Sequence, residues 1–531
     1  MMSYQIRLIG LCFLIVGFGA TACAATCESL LGLKLPATTI TSAVVVPTGT
    51  FRPPGAPANS PALAVFKALP NFCRVQGVLK PSADSHIEFE VWLPTGGWNG
   101  KYQGIGNGGF AGSIGYGALA GPVANGYAAS STDTGHKGSA TDGEWALGHY
   151  EKIVDFGYRA IHETAENSKE IIQAFYSDKI KHSYFSSCSN GGRQALLEAQ
   201  RYPADYDGII AGAPANYWTH HLSGFVWNAQ ALDAAYIPAA KLKAIEAAAV
   251  SACDRIDGVQ DGVIDDPTKC HFDPAVLRCK GADSDNCLTD GQIATLKKIY
   301  AGPKTSKGEQ IFPGYLPGGE TGNAGWTSWI NGMAPGRSAQ FAFGTGFFGD
   351  MVFQDANWDF RKFHFDRDLK ITDDKMARIM NAMDPNLKTF KDRGGKLILY
   401  HGWSDAAIAP TNTINYYESV VSKMGSKETS DFVELFMVPG MQHCGGGPGP
   451  NEFGATVRTQ TDPQHNMTMA LERWVEKGVA PEKIIATKYQ VDNNPSSQVV
   501  RSRPLCPYPL AAKYQGSGKT DNAANFTCAV K

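Results

Sequence analysis

The chain has 531 residues, 43% of them apolar and 11% aromatic, with a formal net charge of -2. That length suits one large domain carrying an insertion, or two domains, and the apolar content is ample for a core. The near-neutral balance leaves no electrostatic footprint for nucleic acid or an anionic membrane surface.

Met1–Ala25 reads as an export signal: Arg7, an apolar run from Leu8 to Phe18, then small residues ending Ala22-Cys23-Ala24. The run is too short to span a bilayer, and no other stretch approaches that length. Ala20 stands where a lipoprotein signal has a larger aliphatic residue, so a lipid anchor at Cys23 is disfavoured. Once Cys12 and Cys23 leave with the signal, ten cysteines remain. An even count in an exported chain suggests five disulfides, formed in an oxidising compartment that is periplasmic or extracellular. None of the ten falls in a CxxC spacing, which argues against a metal-thiolate or redox site.

Residues 26–85 are rich in Pro, Ala and Thr and read as loops and edge strands. His86–Leu93 alternates polar and apolar residues, as a half-buried strand does. Tyr102–Ile105 is a strand running into glycines, Gly126–Thr132 is a further small strand, and Phe156–Phe175 is helical. Ser183–Ser187 gives way within a few residues to apolar positions at helical spacing after Gly192. Tyr206–Ala215 is another buried strand. The sheet resumes at Lys396–Tyr400 and again at Phe432–Val438. Strand, helix, strand with glycine at strand ends is the grammar of an α/β fold, a parallel sheet flanked by helices. Residues 26–215 and 386–531 form this core. Residues 216–385 hold four cysteines, many Gly and Asp and aromatic-rich loops, and show no such alternation. They read as an inserted, loop-rich lid over the catalytic face.

Ser189 sits on the sharp corner between strand and helix, flanked two residues away by Ser187 and Gly191. A nucleophile elbow needs small residues there, because the backbone is strained and a larger side chain would clash. A Gly-rich turn without chemistry has the same composition, so the corner alone does not decide. Two further residues do. Asp405 follows the strand Lys396–Tyr400, and His443 follows the strand Phe432–Val438 on a loop with Gly445–Gly447. The order Ser, Asp, His is that of the α/β-hydrolase fold. A serine hydroxyl needs an imidazole to take its proton, and the imidazole needs a carboxylate to fix its tautomer. Capping a helix is the alternative role for Asp405, a common one for an Asp after a strand. Asp207 and Asp392 are rival acids and His401 is a rival base, which reads as lining the pocket. Cys188 immediately precedes Ser189 and Cys444 immediately follows His443, so a disulfide between them would clamp nucleophile to base.

The segments Cys-Ser-Asn-Gly-Gly-Arg at 188–193, His-Gly-Trp-Ser-Asp at 401–405 and Gly-Met-Gln-His-Cys at 440–444 resemble the signature of the tannase family. That family includes tannases, type-B feruloyl esterases and the enzyme hydrolysing mono(2-hydroxyethyl) terephthalate. The likeness runs from about Cys27 to Cys528 and takes in Arg503–Pro509. It implies an α/β-hydrolase fold with Ser189, Asp405 and His443 as triad and Cys188–Cys444 as the linking disulfide. The other pairings it implies are Cys27–Cys73, Cys253–Cys270, Cys279–Cys287 and Cys506–Cys528. Two backbone N–H groups must stabilise the oxyanion. One is that of Asn190, next to the nucleophile; the resemblance implies Gly109 for the other.

Within the lid, Asp254, Asp257 and Asp261 are spaced carboxylates with a Gly to turn the chain, which suits calcium; a solvated acidic turn is the plainer alternative. By resemblance the ligands are these three side chains and the carbonyls of Val259 and Val263, around a structural ion that stands in for a core the lid is too loop-rich to build. Trp218, Trp326, Trp329, Phe341, Phe343, Phe347, Phe348 and Ile408 offer flat apolar walls for an aromatic acyl group. Among them Trp329 matches a pocket tryptophan of the family. Ile408 stands where the terephthalate-monoester enzyme has a Phe, and Arg337 is the only nearby lid arginine that could hold a free carboxylate. The expectation is therefore a secreted serine esterase for feruloyl, chlorogenate or galloyl esters, with no organic cofactor. The terephthalate-type activity ranks below it. A peptidase is a rival enzyme, and a catalytically silent binding protein of the same fold is the rival class.

Overall fold

In the computed structural model, short runs of small and β-branched residues pair into a nine-stranded sheet. The residues described are 25–57, 59–455, 462–492 and 494–530. The expected export signal, apart from Ala25, and Cys23 lie outside them. The strands are β1 (Thr38–Val46), β2 (Phe72–Leu79), β3 (Ile87–Pro94), β4 (Lys101–Ile105), β5 (Ala128–Thr132), β6 (His182–Cys188), β7 (Gly208–Gly212), β8 (Lys396–Gly402) and β9 (Val433–Val438). Their order is β1-β2-β3-β5-β4-β6-β7-β8-β9. The first three and β5 pair antiparallel in succession, and all contacts from β5 through β4 to β9 are parallel. The segment expected to hold loops and edge strands therefore supplies two full strands, with β1 at the sheet edge.

Side chains alternate across the parallel strands, and both faces are covered. On one face Ile209, Leu397 and Leu399 pack with Ile161 and Leu196 of the helices Ala160–Tyr176 and Asn190–Arg201. On the other, Ile210, Ile398 and Tyr400 pack with Leu471 and Trp474 of the helix Met467–Lys477. The C-terminal residues add two small antiparallel pairs, β10 (Ile484–Tyr489) with β11 (Val499–Leu505) and β12 (Leu510–Tyr514) with β13 (Phe526–Val530). All five disulfides implied by the family resemblance are present. No helix of the described residues is long and apolar enough to cross a membrane.

The segment between β7 and β8 departs from the loop-rich expectation. It contains the helices Trp218–Ala234, Leu242–Cys253 and Asp290–Ala301, the last opened by a capping box between Thr289 and Gln292. Leu232, Leu242, Ile245, Ile293, Leu296 and Ile299 meet in a core of the segment's own. The lid thus does build a core, because apolar residues recur at helical spacing between its Gly-rich turns.

Candidate active site

The turn after β6 has a constrained backbone. Ser189 has φ 69° and ψ -127°, a left-handed conformation that side chains rarely adopt. Its N–H donates to the Gly212 carbonyl of β7 at 2.9 Å. A Cβ at Gly191 would collide with the Ser187 side chain, and one at Gly192 with the Gly212 carbonyl. Ser187 is tolerated two residues before the corner because Gly191 and Gly106 leave room for its hydroxymethyl group. Asn190 is the first residue of the helix that follows, so its N–H has no partner within that helix.

Arg193 locks this corner from below. It is wholly buried and donates from Nε to Asn190 Oδ1 at 2.8 Å, and from Nη1 to the carbonyls of Gly157 and Met380 at 2.8 and 3.1 Å. Its guanidinium also lies 4.8 Å from the Trp218 ring. Burial lowers its pKa to about 9. One side chain therefore ties the elbow to the helix before β6 and to the lid, a role the sequence reading missed.

Asp405 and His443 meet just past the ends of β8 and β9. Asp405 Oδ1 accepts the N–H groups of Ala407 and Ile408 at 2.7 and 2.9 Å, while Oδ2 accepts from His443 Nδ1 at 2.8 Å. Capping the next turn and facing the imidazole are thus both served by one carboxylate. Burial would raise its pKa, but the His443 ring, with His401, holds it well below the usual carboxylate range. Because a carboxylate only accepts, His443 Nδ1 carries the proton and Nε2 is left free to take one. The Trp329 ring packs edge-on against the His443 ring at 4.9 Å. Cys188 and Cys444 are bonded with Cα atoms 6.0 Å apart, which brings the residues beside Ser189 and His443 together across 256 positions.

His401 does not line the pocket as expected. It is completely buried behind Asp405, with Nε2 3.1 Å from Asp405 Oδ2 and Nδ1 2.7 Å from Thr413 Oγ1. The strand end turns so that two imidazoles share one carboxylate oxygen, and of the two it is His443 that packs against Trp329. The rival acids are placed elsewhere: Asp207 accepts the Ser183 N–H at the start of β6, and exposed Asp392 pairs with Lys388.

Above Ser189 is a narrow cavity. Gly109, Ser189 and Asn190 form its floor, with Trp218, Trp329 and Ile408 in its walls as the sequence suggested. Gly109 has φ 55°, and a Cβ there would strike the Ala140 carbonyl, so glycine is required. Of the other lid aromatics expected from the sequence only Phe343 lines this cavity; Trp326, Phe347 and Phe348 are buried in the lid, and Arg337 and Phe341 line a separate surface pocket. Ala215, Ala407, Leu222, Phe225 and His221 complete the walls and were not foreseen. Trp218, His221, Leu222 and Phe225 share one face of the helix Trp218–Ala234. That i, i+3, i+4, i+7 spacing was the available signal.

The acidic lid loop turns through Gly258 and Gly262, both left-handed. Asp254 Oδ1 accepts the N–H groups of Asp261 and Gly262, and Asp257 Oδ1 accepts that of Val259. Val259 and Val263 are buried. Asp261 is paired with Arg501 and Arg503 of β11. Burial raises its pKa, the two arginines opposing.

Comparison with known proteins agrees with this geometry. A family model described as tannase and feruloyl esterase matches residues 73–529. An uncharacterized esterase of Xanthomonas campestris pv. campestris is 42% identical over 95% of this chain and 91% of its own length. A probable feruloyl esterase B-2 of Aspergillus terreus is 32% identical over 95% of both chains. The crystal structure of feruloyl esterase B from Aspergillus oryzae superposes with a TM-score of 0.83 at 29% identity, covering 95% of this chain and 99% of that one.

Proposed function

The chain belongs to the tannase and feruloyl esterase family of carboxylic ester hydrolases, and we propose that it works as a serine esterase on aromatic esters through an acyl-enzyme. Ser189 Oγ attacks the ester carbonyl carbon while His443 Nε2 takes its proton. Asp405 holds the ring and stabilises the imidazolium. The backbone N–H groups of Asn190 and Gly109 receive the oxyanion. Collapse breaks the C–O bond, and His443 returns the proton to the departing alcohol. Water, deprotonated by His443, then attacks the acyl-enzyme to release the acid and regenerate Ser189. The observation that carries this reading is the 2.8 Å His443–Asp405 contact on loops fastened to the Ser189 elbow by Cys188–Cys444.

Hydroxycinnamoyl esters are the favoured substrates, with chlorogenate or galloyl esters next. The flat walls of Trp218, Trp329 and Phe343 support an aromatic acyl group. A terephthalate half-ester is disfavoured because Ile408, not an aromatic residue, lies beside the acid and Arg337 is outside the cavity lining. Five disulfides support export to an oxidising compartment. The lid loop would hold a structural calcium ion through Asp254, Asp257 and Asp261 with the carbonyls of Val259 and Val263, a hard-oxygen donor set.

Stopped-flow release of a chromogenic phenol from an aryl ester tests the mechanism. A burst in the native enzyme, absent from Ser189→Ala, is expected; a native enzyme with no ester turnover would defeat the reading. Specificity constants for methyl ferulate, caffeate, sinapate and gallate, with chlorogenate and an amide analogue, then rank the acyl groups and exclude a peptidase.

A further inference from the structure

His221 stands out among the cavity walls because it is polar and unsatisfied. It is 4% exposed and packs against Phe225 and Phe312, with ring centroids 4.4 and 5.2 Å away. Among the described residues neither of its ring nitrogens has a hydrogen-bond partner, and Nδ1 is fully buried. Asn190 Nδ2 and Trp218 Nε1 are also buried without a partner beside the same cavity. Arg193 fixes both of those side chains, through Asn190 Oδ1 and the Trp218 ring face; nothing comparable holds His221. A buried polar group is retained at a cost unless something satisfies it, and the ring nitrogen that a ligand in the cavity over Ser189 can meet is Nε2, since Nδ1 is closed off.

The chemistry of the missing partner can be narrowed. Burial lowers the imidazole pKa to about 3; Asp405 opposes this, and His443 and His401 add to it. The ring is therefore neutral at working pH, with one nitrogen that donates and one that accepts. A ligand carboxylate could only accept from the ring N–H, and a bare hydrocarbon would leave Nε2 unpaired, whereas a hydroxyl can donate to Nε2 or accept from it, whichever tautomer is present.

We infer that His221 is a specificity-determining residue whose imidazole hydrogen-bonds a phenolic hydroxyl on the aromatic ring of the bound ester. This rests on the serine-esterase reading and adds to it the feature that separates hydroxylated from plain aromatic acids.

The test compares kcat/KM for methyl 4-hydroxycinnamate, methyl 4-methoxycinnamate and methyl cinnamate in the native enzyme, His221→Phe and His221→Gln. The native enzyme should favour the hydroxylated ester over the unsubstituted one by at least about tenfold, because a site built to bond a hydroxyl rejects analogues lacking it. His221→Phe should erase that preference, and His221→Gln, which keeps a donor and an acceptor, should retain part of it. An equal loss on all three esters in His221→Phe would overturn the inference while leaving the esterase reading intact. So would equal native constants for the three esters, a result that stands even if the variants fail to fold. Native enzyme that cleaves none of them would overturn both.

Discussion

Asp405 has four hydrogen-bond donors on two oxygens: two backbone amides on Oδ1 and two imidazoles on Oδ2. Each donor fixes something different. The amides set the turn that carries Ala407 and Ile408 into the cavity wall, His443 receives its tautomer, and His401 anchors the carboxylate to Thr413. Replacement by Asn keeps the shape but turns one acceptor into a donor. If the amide oxygen stays on Ala407 and Ile408, its NH2 faces two ring nitrogens and forces His443 into the wrong tautomer. Asp405→Asn is therefore expected to lower kcat on the order of 10⁴-fold with little change in fold, read by steady-state kinetics beside a circular dichroism spectrum. His401→Gln tests the outer layer. It should cost far less than Asp405→Asn, because His443 keeps its own bond; equal losses would show that His401 itself takes part in proton transfer.

At the scale of elements, the site is assembled where the loops after four strands, β4, β6, β8 and β9, converge, and Cys188–Cys444 is the one covalent tie between two of them. In the chain-entropy account a bridge across 256 positions restrains the unfolded chain by about 5 kcal/mol. Cys279–Cys287 spans only 8 positions in the lid, for about half that. The two bridges should therefore separate stability from catalysis. Paired Cys→Ser changes at 188 and 444 should lower both the denaturation midpoint and kcat, since the nucleophile and base loops lose their common anchor. The same changes at 279 and 287 should lower only the midpoint. Parallel kinetics and denaturant titrations check this, and an unchanged kcat in the first pair would mean that the loops are held by packing alone.

For the whole molecule, what could be read in the sequence and what could not divide along physical lines. The parallel strands were legible because each is a short apolar run closed by glycine. Ser189, Asp405 and His443 could be picked out as the proposed triad because each sits in its own strand-end segment. The lid helices were not, since Gly and aromatic clusters between them mask their 3.6-residue period. His401 was misplaced because it turns in toward Asp405, four residues on, and shares that carboxylate with His443 from a distant loop. Long-range ties such as Arg193 to Met380, or Asp261 to Arg501 and Arg503, leave no local trace. That last cluster bears on how the lid is joined to the rest. Asp261 is nearly buried, and its partners come from β11, so lid and C-terminal hairpin meet through charges. A cation shared by Asp254, Asp257 and Asp261 would strengthen the same joint, by about 2.7 kcal/mol when free calcium is a hundredfold above its dissociation constant. Chelation should then lower the thermal midpoint by several degrees, and added calcium, but not magnesium, should restore it. Asp254→Asn should have a lower midpoint from the start and respond little to either. Should the native midpoint ignore chelator, the two arginines alone neutralise the loop and the joint needs no ion.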